Sequence, residues 1–393
     1  MGLNHGPSPP KRRPSDLNAP HARPHLEHPL LADLPDVTPL DVEAAAASAL
    51  VREQLPVGAF GVWGAVIDLL AAAAGSAAGP LAPRCPQLVV FAADHDIAEL
   101  GVSAATAGET QRRVAELSSG RGLPAALADA AGVGVTVVDV GMAQPAGAPG
   151  SSAQPADGDA PPAPRPSRRI DTQDAMTEDE LTAAVETGRR LADTEIDAGA
   201  DLLIGAVCGV GISTPVAALT AALTGMEPVD ATSRGSGIDD AAWIRKAAVV
   251  RDSLFRLRQA DSDVLSMLRT GGGPDLAALT GFIAQAAIRR TLVLIHDMPS
   301  TVAAVLAHRL APGADNYLLV TSLAPDRGHQ RLLDLLGREP LTDWSITGHS
   351  GVGALLVVPT LTAAAHAFDD IDRTATGPPR SSSAISSWDA NLL

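Results

Sequence analysis

The sequence predicts an α/β fold: a mostly parallel, doubly wound (Rossmann-like) sheet with helices on both faces, plus a smaller helical part from the terminal segments. Short apolar runs separated by longer helical stretches are the first sign, because strands buried on both faces lose the polar alternation of a half-exposed sheet. The second is that one such run, "DLLIGAV", leads through Gly209 and Gly211 into an apolar-rich stretch that reads as a helix. With 46% hydrophobic and only 3% aromatic residues, the core must be built from small aliphatic side chains.

In chain order, residues 1–36 are rich in Pro, charge and His without apolar periodicity, and read as a disordered tail. Its histidines, His5, His21, His25 and His28, are too irregularly spaced across prolines to suggest a metal site. The main domain is expected over 37–373. "QLVVFAAD" (87–94) and "GVTVVDVGM" (134–142) read as strands, with a helix near 107–131 between them. Residues 143–167 are a Pro/Ala/Gly-rich linker or surface insertion. Thr177 and Glu180 form a T-x-x-E capping box, predicting a helix that ends near Gly199. "DLLIGAV" (201–207), "TLVLIHD" (291–297) and "NYLLVTS" (316–322) are further strands, and 374–393 is a loose tail.

A net charge of −16 argues against a nucleic-acid footprint, which needs a basic patch. A small anionic substrate is still compatible, because backbone N–H groups at a helix start attract anions locally. Two cysteines, Cys85 and Cys208, are too few for a disulfide framework and fit a reducing cytoplasm. Neither an export signal nor a membrane span is expected.

Ligands in such sheets sit outside the carboxyl ends of the strands, so the loops there are the candidates. Asp94 and His95 follow the first strand, as an acid–base pair or as turn residues. In "IGAVCGVGISTPVAAL", Gly209 and Gly211 precede Ser213, Thr214 and Pro215. Pro suits a first helical position and Thr214 or Ser213 can cap, which makes either a phosphate cradle or a tight strand–helix turn. "SRGSGIDD" brings Arg234, Gly235, Ser236 and Gly237 before a helix capped by Asp239 or Asp240. A further loop, Gly271, Gly272 and Gly273, precedes another helix. Three such loops together point to a phosphorylated ligand. "ITGHSGVGA" (346–354) resembles a serine-hydrolase elbow at Ser350, but the only later histidine, His366, has no Asp or Glu between it and Ser350. That is the wrong order for the triad.

These segments together resemble the nicotinate-nucleotide–dimethylbenzimidazole phosphoribosyltransferases of cobalamin nucleotide-loop assembly. "VVFAADHDIAELGVSA", "VTVVDVGM", "GVGISTPVAAL", "SRGSGIDD" and "GGGPDLAALTG" follow the family's order, and similarity extends over roughly 45–370. The resemblance implies a cytoplasmic homodimer acting on a small nucleotide and an aromatic base, without nucleic acid, membrane, cofactor or metal. Its reaction moves 5-phosphoribosyl from nicotinate mononucleotide to 5,6-dimethylbenzimidazole, giving α-ribazole 5′-phosphate. Phosphate and ribose then fall to Gly209, Gly211, Ser213, Thr214, Arg234, Gly235, Ser236, Gly237, Gly272 and Gly273, and the acceptor base to Asp94, His95 and Ser103.

The family's general-base glutamate falls on His349 or Ser350, depending on the direction of counting. A second family glutamate falls on Val207, an Asn on Ile212, a Gln on Ala107 and an Asp on His296, beside Asp297. His349 is therefore the candidate base. The alternatives are a chain that binds a nucleotide or cobalamin precursor without turnover, or one that transfers to a different acceptor.

Overall fold

The structure, a computed structural model, describes residues 34–56, 58–77, 79–143, 163–347 and 350–375. Most of the expected N-terminal tail, the 143–167 insertion and the C-terminal tail lie outside the described residues, as does His349. By internal contacts the chain divides into Met1–Pro35, of which only Leu34 and Pro35 are described, and Asp36–Leu393.

Five parallel strands form the sheet of the second unit in the order β2-β1-β3-β4-β5. They are β1 (Pro86–Ala93), β2 (Gly134–Gly141), β3 (Leu202–Cys208), β4 (Leu292–Ile295) and β5 (Leu318–Val320). All five coincide with the apolar runs of the sequence. All residues of β3, β4 and β5, and all of β1 except Gln87, are buried, so helices cover both faces. Edge strand β2 is mostly half-exposed. Chain order runs outward from β1 to β2, then returns to place β3 on the other side of β1. The sheet therefore has its topological switch point between the ends of β1 and β3.

The first two helices are α1 (Val42–Arg52) and α2 (Trp63–Ala74). The helix expected near 107–131 is two, α3 (Glu109–Ser118) and α4 (Gly122–Ala131). Gly120 and Gly122, at φ +70° and +83°, take the left-handed backbone that breaks a helix. α5 (Glu178–Asp197) begins at the expected capping box: Thr177 Oγ1 accepts from Glu180 N, and Glu180 Oε2 accepts from Thr177 N at 2.7 Å. Then follow α6 (Ser213–Thr224), α7 (Pro228–Ala231), α8 (Asp240–Gln259), α9 (Val264–Gly271) and α10 (Pro274–Ile288). α11 (Met298–Leu310), α12 (Arg327–Leu336) and α13 (Val352–Ala375) complete the set.

Residues 274–287 of α10 are all buried, making this helix the spine beneath the sheet. Small residues allow α5 to lie directly on it. A Cβ on Gly188 would fall 1.8 Å from Ala278 O, and one on Gly281 would fall 2.3 Å from Val185 O. Phe91 and Phe282 fill part of the remaining space edge-to-face, with ring centres 5.6 Å apart. The helical part from the terminal segments gathers α1, α2 and α13. Asp369 of α13 ties it to the entrance of β1, accepting from Leu81 N at 2.9 Å and Ala82 N at 3.2 Å. Helix α13 is long and apolar enough to cross a membrane, but its Leu355, Val358, Leu361, Ala365 and Phe368 are buried as a core face.

Candidate active site

The candidate site lies at the carboxyl ends of β1, β3 and β4, around the switch point. Asp94 organises its floor. One carboxylate oxygen takes the Thr110 hydroxyl and, at 3.3 Å, Val210 N; the other takes Ala143 N at 2.9 Å. The side chain thus joins the loops after β1, β2 and β3, and its acceptor capacity goes into holding backbone.

His95 points inward. It is 2% exposed, and its Nε2 lies 3.0 Å from Asp275 Oδ2 at the start of α10. Asp275 is itself fully buried and also accepts Leu276 N. The glycines around this pair are there for close approach. A Cβ on Gly273 would sit 2.5 Å from His95 Cε1, and one on Gly211 (φ +91°) 3.1 Å from His95 Cβ. Gly209 leaves no room either, with Ala93 O 1.8 Å from the position of a Cβ. Gly272 and Gly273 are buried, so their loop forms packed scaffold beneath the strand ends.

The loop after β3 meets the "SRGSGIDD" loop across a buried cation. Ser213 and Thr214 do not cap α6 in the way the sequence suggests, and Pro215 is not its first residue. The helix starts earlier, at Ser213, from an N-cap Ile212 that is already helical and makes no side-chain cap. Ser213 Oγ accepts instead from Lys246 Nζ at 3.0 Å, and the same ammonium donates to Ser233 O at 3.0 Å. A Cβ on Gly235 (φ +49°) would lie 2.5 Å from Ser213 Oγ and 3.1 Å from Lys246 Nζ. Lys246 is fully buried, and burial pushes its ammonium down to about 8, against a smaller upward pull from Asp326. Thr214 Oγ1, at the same helix start, is buried and has no hydrogen-bond partner among the described residues. A buried hydroxyl left so costs roughly 1–3 kcal/mol.

The rest of "SRGSGIDD" divides between structure and surface. Arg234 is exposed and folds onto its own loop, donating to Ile238 O at 2.9 Å and pairing with Asp240. Asp239, of the two expected candidates, caps α8. Gly237 is exposed at φ +90°. Ser236 reaches the loop after β1: its hydroxyl is 3.2 Å from Ser103 Oγ and accepts from Ala104 N. Ser103 and Ser236, distant in sequence, are therefore neighbours.

Ser350 lies over β3. It has φ +61°, and its side chain lies near the thiol of Cys208, the last residue of that strand. Burial pushes the Cys208 thiol up, away from a reactive thiolate. Among the described residues no histidine is hydrogen-bonded to Ser350. His296, 1% exposed after β4, accepts instead from Gly351 N at 3.1 Å. Val207 is buried within β3 and Ala107 is exposed ahead of α3.

Lys246, Asp275 and Thr110 take part in this geometry without having been singled out in the sequence. For Lys246 a signal existed: Ala242, Lys246, Val249, Val250, Ser253 and Leu257 recur at helical spacing, which puts the lysine on the buried stripe of α8. The described residues contain no group of three or more His, Cys, Asp or Glu able to hold a metal ion.

Comparison with known proteins agrees with this architecture. A phosphoribosyltransferase family model matches residues 37–377. The nicotinate-nucleotide–dimethylbenzimidazole phosphoribosyltransferase of Mycobacterium ulcerans (strain Agy99) is 41% identical over 353 residues, covering 86% of this chain and 96% of that protein. The enzyme of the same name from Mycobacterium tuberculosis (strain ATCC 25618 / H37Rv) is 42% identical over 297 residues, covering 73% and 80%. Among solved structures, CobT from Thermus thermophilus superposes with a TM-score of 0.74 at 32% identity, over 83% of this chain and 96% of that one. With its sheet order, its glycine loops and a family match over most of its length, the chain belongs to the phosphoribosyltransferase family.

Proposed function

We propose that this chain transfers the 5-phosphoribosyl group of nicotinate mononucleotide to a ring nitrogen of 5,6-dimethylbenzimidazole, in cobalamin biosynthesis. In that reaction the C1′–N bond to nicotinate breaks and its electron pair leaves with the pyridine ring. A new C1′–N bond forms to the acceptor, whose other ring nitrogen gives up a proton. The observation that carries the reading is the meeting of two glycine loops around the buried Lys246–Ser213 pair beside the switch point.

The 5′-phosphate is held where Ser213 and Gly235 meet Lys246, at the α6 start that Gly209 and Gly211 lead into and Thr214 belongs to. A buried ammonium and a Thr214 hydroxyl without a partner among the described residues are what an incoming phosphate would satisfy. Ser236 and Gly237 close that side, and Gly272 and Gly273 support the floor. Arg234, exposed and paired, serves the α8 start rather than the phosphate. The acceptor base lies toward Ser103, Ser350 and Cys208, with Asp94 and His95 fixing the loops beneath. His349, next to Ser350, takes the acceptor's proton. Imidazole is a competent general base at neutral pH.

Positions 207 and 350, Val and Ser, favour a second reading: nucleotide binding without turnover, or transfer to another acceptor. Losing a general base typically costs about 10²–10⁴ in rate. Calorimetric titration with nicotinate mononucleotide and chromatographic detection of ribazole phosphate, using several benzimidazoles and phenols, separate the readings. Product formation abolished by His349→Ala supports the first. Tight nucleotide binding with no product from any acceptor supports the second. A homodimer in the cytoplasm completes the proposal. The exposed Val229, Ile244 and Phe255 offer an apolar face for a second copy, and both cysteines are free thiols. Sedimentation velocity tests the dimer.

A further inference from the structure

His296 occupies an unusual place in this site. It follows β4 directly and belongs to the helix-start segment before α11, yet its ring turns toward α13. The backbone on its own side is already committed. His296 N and Asp297 N both donate to Ser300 Oγ at 3.1 Å, and Asp297 Oδ1 accepts Ser300 N at 2.9 Å. That box fixes the residue's backbone and so the root of the ring.

The ring reaches the start of α13. Gly351 N donates to His296 Nε2 at 3.1 Å, with both groups buried. With Nε2 accepting, the ring proton of neutral His296 falls on Nδ1, which is buried and has no hydrogen-bond partner among the described residues. Asp297 Oδ2 lies 3.3 Å from the same Nε2.

On the other side of the bond, the backbone is held in conformations that an unanchored loop would leave. Ser350 is at φ +61° without being glycine, and Gly351 is at φ +88°. A side chain on Gly351 is precluded twice, by that φ and by Leu88 Cδ1, 2.8 Å from the position of a Cβ. Gly353, the second residue of α13, would bring a Cβ to 3.2 Å from His296 Cβ. The first turn of α13 is thus seated on the His296 backbone and side chain, and Ser350 is left facing the Cys208 thiol. A non-glycine residue in the left-handed region persists only where its surroundings over-determine it. Here the Gly351–His296 bond is the directed part of those surroundings.

We propose that His296 is a positioning residue for phosphoribosyl transfer: through Nε2 it holds the Gly351 amide, and thereby keeps Ser350 and the start of α13 over the ends of β3 and β4. It touches no reacting atom in this role. The inference rests on the proposed function for its catalytic consequence, though not for the bond itself.

The test separates the two. His296→Gln keeps an acceptor oxygen of similar reach, whereas His296→Leu keeps bulk and removes the acceptor. With nicotinate mononucleotide and 5,6-dimethylbenzimidazole, the Leu variant is expected to lose kcat by roughly 10-fold to 100-fold, the scale of a misplaced site. Its KM for the nucleotide, whose phosphate cluster lies elsewhere, stays within about twofold of wild type, and Gln restores most of kcat. Amide exchange, read without substrate, should show the Gly351 N–H protected in wild type and Gln, and exposed in Leu, while α10 amides remain protected in all three. Equal kcat in Leu and wild type, or equal loss in Gln and Leu, would overturn the proposal. A wild-type 15N-imidazole spectrum, assigned by difference from the Gln variant, needs no stable Leu protein. It should show His296 as the Nδ1–H tautomer, and an Nε2–H tautomer would overturn the proposal outright. Wild-type protein without turnover, but with a protected Gly351 and the Nδ1–H tautomer, would count against the proposed function and leave the anchoring bond supported.

Discussion

Replacing Lys246 by methionine removes a buried charge while keeping most of the side-chain volume, and its effects on binding and stability should run in opposite directions. Burial depresses the lysine from 10.5 to about 8, which at 1.36 kcal/mol per pH unit corresponds to about 3 kcal/mol of penalty for keeping it charged. Methionine removes that penalty but leaves Ser233 O without its donor, at roughly 1–3 kcal/mol. Urea unfolding at pH 7 should therefore find Lys246→Met as stable as wild type, or more so. Binding should weaken. A charge-assisted hydrogen bond contributes roughly 1.5–3 kcal/mol, so calorimetry should show nicotinate mononucleotide binding about 10-fold to 150-fold more weakly. Nicotinate riboside, which lacks the phosphate, should bind both proteins alike. The wild type also carries a pH signature. Between pH 8 and 10.5 the unfolded chain holds a proton that the folded lysine has released, so stability rises with pH across that window. The Met variant should lack that rise. A large loss of stability with unchanged nucleotide affinity, or equal losses for nucleotide and riboside, would refute the assignment of Lys246 to the phosphate.

At the acid end, His329 should govern part of the stability. It is fully buried, its Nδ1 accepts Ala324 N at 2.8 Å, and Thr301 Oγ1 lies 2.8 Å from Nε2. Burial lowers it from 6.5 to about 4, so the unfolded chain takes up a proton first as pH falls. Stability should drop by about 3 kcal/mol from pH 6.5 to 4 on this account, and His329→Gln should flatten the profile measured by urea unfolding. At the α5–α10 crossing, Gly188→Ala puts a methyl 1.8 Å from Ala278 O. The helices must separate, and chemical denaturation should register about 3 kcal/mol of destabilisation. A loss under about 1 kcal/mol would mean the crossing is looser than this contact implies.

Local signals explain what could be read before any coordinates. Thr177 and Glu180 announce α5 because a capping box is closed within four residues. The strands were legible because burial on both faces demands uninterrupted apolar runs, and the glycine loops because a chain turning at close quarters into a helix needs glycine. What local signals missed has a common cause. His95 meets Asp275 across 180 positions, and His296 meets Gly351 across 55. Periodicity carries no information about pairings at such separations.

The sequence by itself determined the strands, most helix boundaries and the residue types available at the strand ends. Only the tertiary structure decided the strand order, and with it the switch point. It also decided that the polar residue on the apolar stripe of α8 would be an ammonium buried between two glycine loops. Packing decided that Ser213 would accept from Lys246 rather than cap its own helix, because a nearby buried charge is the stronger claim on a hydroxyl. Likewise Asp94 and His95, read as possible chemistry, were drawn into holding loops together, since buried polar groups must find partners before they are left for substrate.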